Sequence, residues 1–152
     1  MEKITIVEGA ARHHHFIADC QVAMAFETEG MRLDPETVNL GVGAVLLDPH
    51  KGKYFIAKNS EGTPVACLLT IPEWSDWRNG TVLWIHSLYV KPEYRAKGVF
   101  YQMYHHLKSM VTFSKDLRGL RLYVDKKNPS AQKVYEKLGM TKEHYDMFEW
   151  MK

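Results

Sequence analysis

The sequence predicts an α/β fold: a single mixed, mainly antiparallel twisted sheet flanked by helices, in one domain over residues 1–152. Three features carry that expectation. Segments of period-two apolar alternation are interleaved with segments of period 3.6. Turn signals at Asn59–Gly62 and Asn79-Gly80 join consecutive strands closely enough for hairpins. No repeat or low-complexity tract interrupts the chain, and 152 residues suffice for one hydrophobic core.

In chain order, Ile4 and Ile6 alternate with polar residues as a first strand. Residues 12–28 place Phe16, Ile17, Cys20 and Met24 at helical spacing. A second helix starts after Asp34, a capping side chain, with Pro35 in the first turn, where a missing N–H costs nothing. Its apolar stripe is Val38, Val42, Val45 and Leu46; Gly41 and Gly43 weaken it by about 1 kcal/mol each, and Asp48-Pro49 ends it. Tyr54–Lys58 and Val65–Ile71 form an expected hairpin. Trp74 falls in a loop ahead of Asn79-Gly80, and Thr81–Val90 is the long strand that follows. Phe100, Met103, Tyr104, Leu107, Met110 and Val111 mark a helix, and Leu120–Val124 an apolar strand. Asn128-Pro129 opens a last helix bearing Ala131, Val134, Tyr135 and Leu138, which Gly139 closes, and Tyr145–Trp150 is the expected final strand.

Composition excludes several classes of function. Twenty basic against eighteen acidic side chains leave a net charge of +2, too little to argue for nucleic acid or a membrane surface as partner. No segment has signal-peptide character or spanning length, so a cytoplasmic protein is expected. Cys20 and Cys67 lie far apart among apolar neighbours and read as buried, reduced thiols. His13-His14-His15 is not a metal site, because adjacent helical residues point in different directions.

The informative stretch runs from Leu88 to Phe100. A strand ends at Val90, a loop carries Arg95 and Lys97, and Gly98 precedes a long helix. A helix N-terminus offers unpaired N–H groups and a partial positive charge, which suit a phosphate. Gly98 removes the Cβ that would keep an anion from the backbone, and two cations stand beside it. The same residues also describe a solvated basic turn.

Leu88-x-Val90-x-Pro92-x-x-Arg95-x-x-Gly98 resembles motif A of the GNAT superfamily of acetyl-CoA-dependent N-acetyltransferases, and Asn128-Pro-Ser-Ala131-x-x-x-Tyr135-x-x-x-Gly139-Met140 resembles its motif B. Element order agrees over essentially the whole chain. The resemblance implies acetyl-CoA as cosubstrate, no metal, and an amine acceptor. It implies that the backbone of Leu88, Tyr89 and Val90 pairs with the pantetheine arm like an added strand. It further implies that amides from Arg95 through Ala96, Lys97, Gly98, Val99 and Phe100 to Tyr101 hold the diphosphate. Phe100 departs from the small residue of the family's pattern; turned into the core, its side chain would leave the N–H available. Asn128 would contact the coenzyme arm, though it also reads as a helix cap.

For catalysis, the resemblance points to the position two residues before Leu88 as general base, where the family often has a carboxylate and this chain has His86, and to Tyr135 as the group facing the leaving sulfur. His86 alternates with Trp84 and Leu88 and also reads as packing; Tyr135 shares an apolar stripe with Val134 and Leu138. Cys67 has no histidine or acid spaced to make it a nucleophile, so direct transfer is expected. Glu27 and Glu29, and Glu73 and Asp76 around Trp74 and Trp77, gather acidic and aromatic groups suited to a small cationic amine. Two alternatives remain: a GNAT-like acyl-CoA-binding sensor without turnover, and a small homodimeric interaction domain.

Overall fold

The computed structural model of the chain describes residues 1–142 and 144–152. They group into two compact units, Met1–Leu122 and Tyr123–Lys152. The first contains the sheet, whose strands lie in chain order: β1 (Thr5–Glu8), β2 (Lys53–Lys58), β3 (Pro64–Ser75), β4 (Gly80–Val90) and β5 (Leu117–Arg121). The first four are antiparallel neighbours, and β5 runs parallel to β4. A parallel neighbour needs a crossover, which α3 (Val99–Phe113) supplies. The β2–β3 turn is fixed by Asn59, whose Oδ1 accepts from the N–H groups of Glu61 (3.0 Å) and Thr63 (2.9 Å).

Period-two alternation sorts the core onto two faces. Tyr54, Ile56, Cys67 and Leu69 pack against Ile17, Ala18 and Cys20 of α1 (His14–Glu29) and Val42 of α2 (Pro35–Leu47). Phe55 points the other way and meets His106 of α3, ring centroids 5.7 Å apart. The α3 stripe buries Val99, Met103, Tyr104 and Leu107. Asp34 caps α2 as expected, accepting from the Thr37 N–H at 2.9 Å.

Three expectations need correction. Trp74 stands in β3, opposite Thr81, rather than in a loop. Pro72 makes the run look broken, yet β2 pairs no further than Thr70, so the proline nitrogen faces an open edge. The fifth strand is Leu117–Arg121 instead of Leu120–Val124. Its start is set by the Ser114 hydroxyl, which accepts from the N–H groups of Asp116 and Leu117, and its register by pairing of Thr81 with Leu117 and Trp84 with Arg121. Residues 145–150 form no strand; Tyr145 is 84% and Phe148 95% exposed. Alternation defines two faces, but a strand also needs a ladder partner.

In the second unit, α4 (Pro129–Lys137) is bounded by local chemistry. Asn128 Oδ1 accepts from the Ala131 N–H at 3.2 Å and from the Ser130 hydroxyl at 3.1 Å. At the other end Gly139 adopts φ +85°, its N–H donates to Glu136, and the Met140 N–H donates to Tyr135, which is a Schellman closure.

Candidate active site

The site is built on β4. Cys67 pairs with Tyr89 and Leu69 with His86, so one residue of β3, Leu68, opposes two of β4, Ser87 and Leu88. This is a β-bulge, with Ser87 at φ +51°, a left-handed conformation that a non-glycine residue adopts only under constraint. Nothing in the sequence marks Ser87 for it. On the other side, β5 pairs with β4 only from Thr81 to Trp84. Among the described residues, no strand pairs with Ile85–Val90 along that edge. The backbone groups of Leu88, Tyr89 and Val90 therefore belong to a half-open strand, which fits the pairing expected of an amide-bearing pantetheine arm.

Beyond Val90, a short 3₁₀ turn at Pro92–Tyr94 leads to Arg95–Gly98 and then to the first residue of α3, Val99. Ala96 (φ +58°) and Gly98 (φ +76°) are both left-handed, which folds the loop tightly onto the helix N-terminus. Lys97 Nζ lies 5.4 Å from the centre of the Tyr94 ring, and Tyr94 Oη accepts from Asn59 Nδ2 at 3.0 Å. Val99 is buried; Phe100 is half-buried, with its ring 6.3 Å from that of Tyr104. Phe100 thus flanks the core stripe while Val99 enters it. Tyr101 is exposed, its ring 4.3 Å from that of His105.

Arg95 has partners that its sequence neighbourhood does not announce. Its Nη2 lies 2.6 Å from Glu27 Oε2, its Nε donates to the Val90 carbonyl at 2.9 Å, and its guanidinium sits 5.4 Å from the centre of the Tyr89 ring. The Tyr89 hydroxyl donates to the other Glu27 oxygen at 3.2 Å. Glu27, expected beside the acceptor, and Arg95, expected beside the coenzyme, are joined in one clasp.

His86 is half-buried next to Trp84, ring centroids 6.4 Å apart. Burial lowers its pKa below the ordinary imidazole value, favouring the neutral ring. In the second unit Tyr135 is half-buried on α4, and burial raises its pKa, keeping the phenol protonated. Asn128 caps that helix. Cys20 and Cys67 are free and buried, and a hydrogen bond with Cys20 together with burial pushes the Cys67 thiol up, away from the thiolate a nucleophile needs.

The other acceptor candidates are dispersed. Glu29, the last residue of α1, is exposed. Trp74 is 64% exposed, and Asp76 caps the β3–β4 turn through the Trp77 N–H at 3.0 Å. Trp74 pairs with Thr81, eight residues along β4 from Tyr89 and hence roughly 25 Å away at strand rise. Glu73 is bound to Arg121 at 2.7 Å. Among the described residues no group of His, Cys, Asp and Glu is placed to hold a metal ion, and no helix is long and apolar enough to cross a membrane.

A five-stranded mixed sheet with a bulged, half-open β4 running into a left-handed loop at a helix N-terminus is a GNAT-like fold. The chain belongs to the acetyltransferase (GNAT) family, whose family model matches residues 14–140. None of the curated proteins compared with it matches. Among solved structures it is similar to a possible acetyltransferase from Clostridium difficile 630, with 41% identity and a TM-score of 0.92 over 99% of this chain and 98% of that one. A probable acetyltransferase shares the fold at 22% identity and a TM-score of 0.84, with 97% of each chain covered. So does the aminoglycoside N-acetyltransferase AAC(6')-Iy, solved in complex with CoA, at 16% identity and a TM-score of 0.77 over 99% of this chain and 96% of that one.

Proposed function

We propose that this protein is a cytoplasmic, single-domain N-acetyltransferase that moves the acetyl group of acetyl-CoA directly onto an amine. The observation that carries the reading is the stretch of β4 left open on its β5 side, leading into the Arg95–Gly98 loop at the start of α3.

Attack on a thioester needs a neutral amine. At pH 7 only about one amine in two thousand is neutral when its pKa is 10.4, a cost of roughly 4.6 kcal/mol. His86, held neutral by burial, takes the proton from the amine directly or through one water. The new N–C bond forms as the C–S bond breaks, and the electron pair leaves on sulfur. Tyr135, held protonated by burial, donates a hydrogen bond to that sulfur. Outright proton donation to a thiolate of conjugate pKa near 8.5 would be uphill by about 2 kcal/mol, so the bond itself, strengthening as charge develops, supplies the benefit.

The acceptor in this reading is a small amine with a further positive charge, drawn by Glu27 and Glu29. Trp74 and Asp76 would serve only an acceptor long enough to reach the far end of the β3–β4 hairpin.

Thiol release from acetyl-CoA, measured over a panel of amines, tests the proposal. Turnover should fall about 10–100-fold in Tyr135→Phe with acetyl-CoA affinity retained. Binding without turnover on any amine would leave the sensor reading instead.

A further inference from the structure

The segment ahead of β1 lies on the Arg95–Gly98 loop, the loop proposed to hold the coenzyme's phosphates (the phosphate loop). The Glu2 N–H donates to the Lys97 carbonyl at 2.9 Å. Gln102, one turn into α3, donates from Nε2 to the Glu2 carbonyl at 2.6 Å and to the Gly98 carbonyl at 3.3 Å. The Met1 side chain occupies the space beside Gly98: a Cβ built there would come within 2.7 Å of Met1 Cγ and 3.2 Å of Sδ. Met1, Glu2, Ala96, Lys97 and Gly98 line a cavity of about 540 Å³.

We infer that Gln102 and the Met1–Glu2 segment form a brace that presets the phosphate loop's amides for the coenzyme diphosphate. The inference rests on the acetyl-CoA reading above. A trans peptide directs its C=O and N–H to opposite sides. Holding the Lys97 oxygen toward Glu2 therefore turns the Gly98 N–H away from Met1–Glu2. The next peptide needs no such help, because the Gly98 carbonyl already accepts from the Gln102 backbone N–H at 3.2 Å. The Lys97–Gly98 peptide is the one free to choose, since glycine tolerates either hand and so either orientation of the peptide before it. Turned the other way, it would withdraw an N–H and present a carbonyl oxygen to an anion. Gln102 acts through the Glu2 backbone and is a positioning residue. Glu2 contributes its main chain, and Met1 seats the segment against a residue with no side chain of its own.

Two variants of the full chain test the brace: Gln102→Met, which keeps the bulk of the side chain and loses both donors, and Glu2→Pro, which deletes the N–H and leaves α3 untouched. Coenzyme A affinity is measured by calorimetry, and turnover is measured in parallel with S-acetylpantetheine, which carries no diphosphate. Both variants should bind coenzyme A about tenfold more weakly, the scale of one charge-assisted hydrogen bond. Their kcat/KM with S-acetylpantetheine should stay within about twofold of wild type, because that ligand does not use the braced amide. Unchanged coenzyme A affinity overturns the brace, and so does a parallel loss with S-acetylpantetheine, which would mark a general structural role. Wild type that fails to bind coenzyme A overturns the acetyl-CoA reading itself, and the brace with it.

Discussion

The Arg95–Gly98 loop is tied to residues far from it in the chain, whereas the two ends of α4 are fixed by residues a few positions away. The loop's distant partners are Glu27, Asn59 through Tyr94, and Met1–Glu2, up to 100 residues away for the Gln102–Glu2 bond that braces it. Every bond that bounds α4 spans five residues or fewer: Asn128 to Ala131 and Ser130, Gly139 to Glu136, Met140 to Tyr135. Local bonds form wherever the right residues stand at the right spacing, so a cap can be read from a string of letters. Long-range bonds depend on how the sheet brings distant segments together, and a string does not record that.

His86 gives the largest test of the non-local region, since its environment comes from sheet packing. Burial favours its neutral form, so protonation begins below the ordinary imidazole range. As a base it is competent when neutral: kcat/KM should fall as pH drops through that lowered pKa and should hold steady above it. His86→Ala should cost about 10²–10⁴-fold in kcat/KM and remove that acid limb or shift it upward. An unchanged pH profile would return His86 to a packing role.

A pair of glycine variants sharpens the contrast. Gly98 and Gly139 are both left-handed, at φ +76° and +85°. Alanine costs roughly 1–2 kcal/mol at either from backbone strain. At Gly139 no non-neighbouring atom of the described residues lies within 4 Å of the added methyl, while at Gly98 the methyl meets Met1 Cγ at 2.7 Å. Gly98→Ala should therefore destabilise the protein more in urea unfolding and should also weaken coenzyme binding. Equal losses would mean that the Met1 seat contributes nothing.

Asn128→Ala probes the locally capped helix. Losing one helix cap costs about 1 kcal/mol, so the far-ultraviolet signal and urea midpoint should register it whether or not coenzyme is present. Asn128→Asp keeps an acceptor for the Ala131 N–H and should restore stability. A coenzyme-affinity loss that persists in Asn128→Asp would show that the side chain touches the ligand as well as the helix.

The division between local and non-local bonds explains what was legible. Asp34 capping α2, the Asn59 turn, Asn128 and Gly139 were readable because each acts within five residues. The shift of β5 to Leu117 was not, because a parallel register is set by a strand more than thirty residues earlier. Trp74 was misplaced because whether the chain past Ile71 stays in the sheet depends on how far the neighbouring strand runs alongside it. The segment 145–150 misled for the complementary reason: it has the alternation of a strand and no ladder. Around the site, the end of the strand at Val90 and the start of the helix after Gly98 were legible. The bulge at Ser87, the clasp through Glu27 and the brace from Gln102 were not, since each is a relation between distant residues.

The smallest expected effect addresses the clasp. Arg95 and Glu27 side chains are 46% and 37% exposed, so water and salt screen the pair, and its worth is about 0.2–1 kcal/mol. Arg95 faces two claims, because a diphosphate carries more charge than Glu27 and offers charge-assisted bonds of about 1.5–3 kcal/mol. Arg95 should therefore give up the carboxylate when coenzyme arrives. If it does, Glu27→Gln removes the competitor and should tighten acetyl-CoA binding by less than about fivefold, the exposed-pair limit. Arg95→Ala should weaken binding by about 1–3 kcal/mol, and Glu27→Gln should then have no further effect in that background. Raising ionic strength should shrink the Glu27→Gln gain, as a screened pair competes less. Looser binding in Glu27→Gln would mean the opposite arrangement, in which Glu27 keeps hold of Arg95 in the complex and the clasp orients it. A calorimetric cycle over the four proteins decides between exchange and orientation by the sign of one coupling energy.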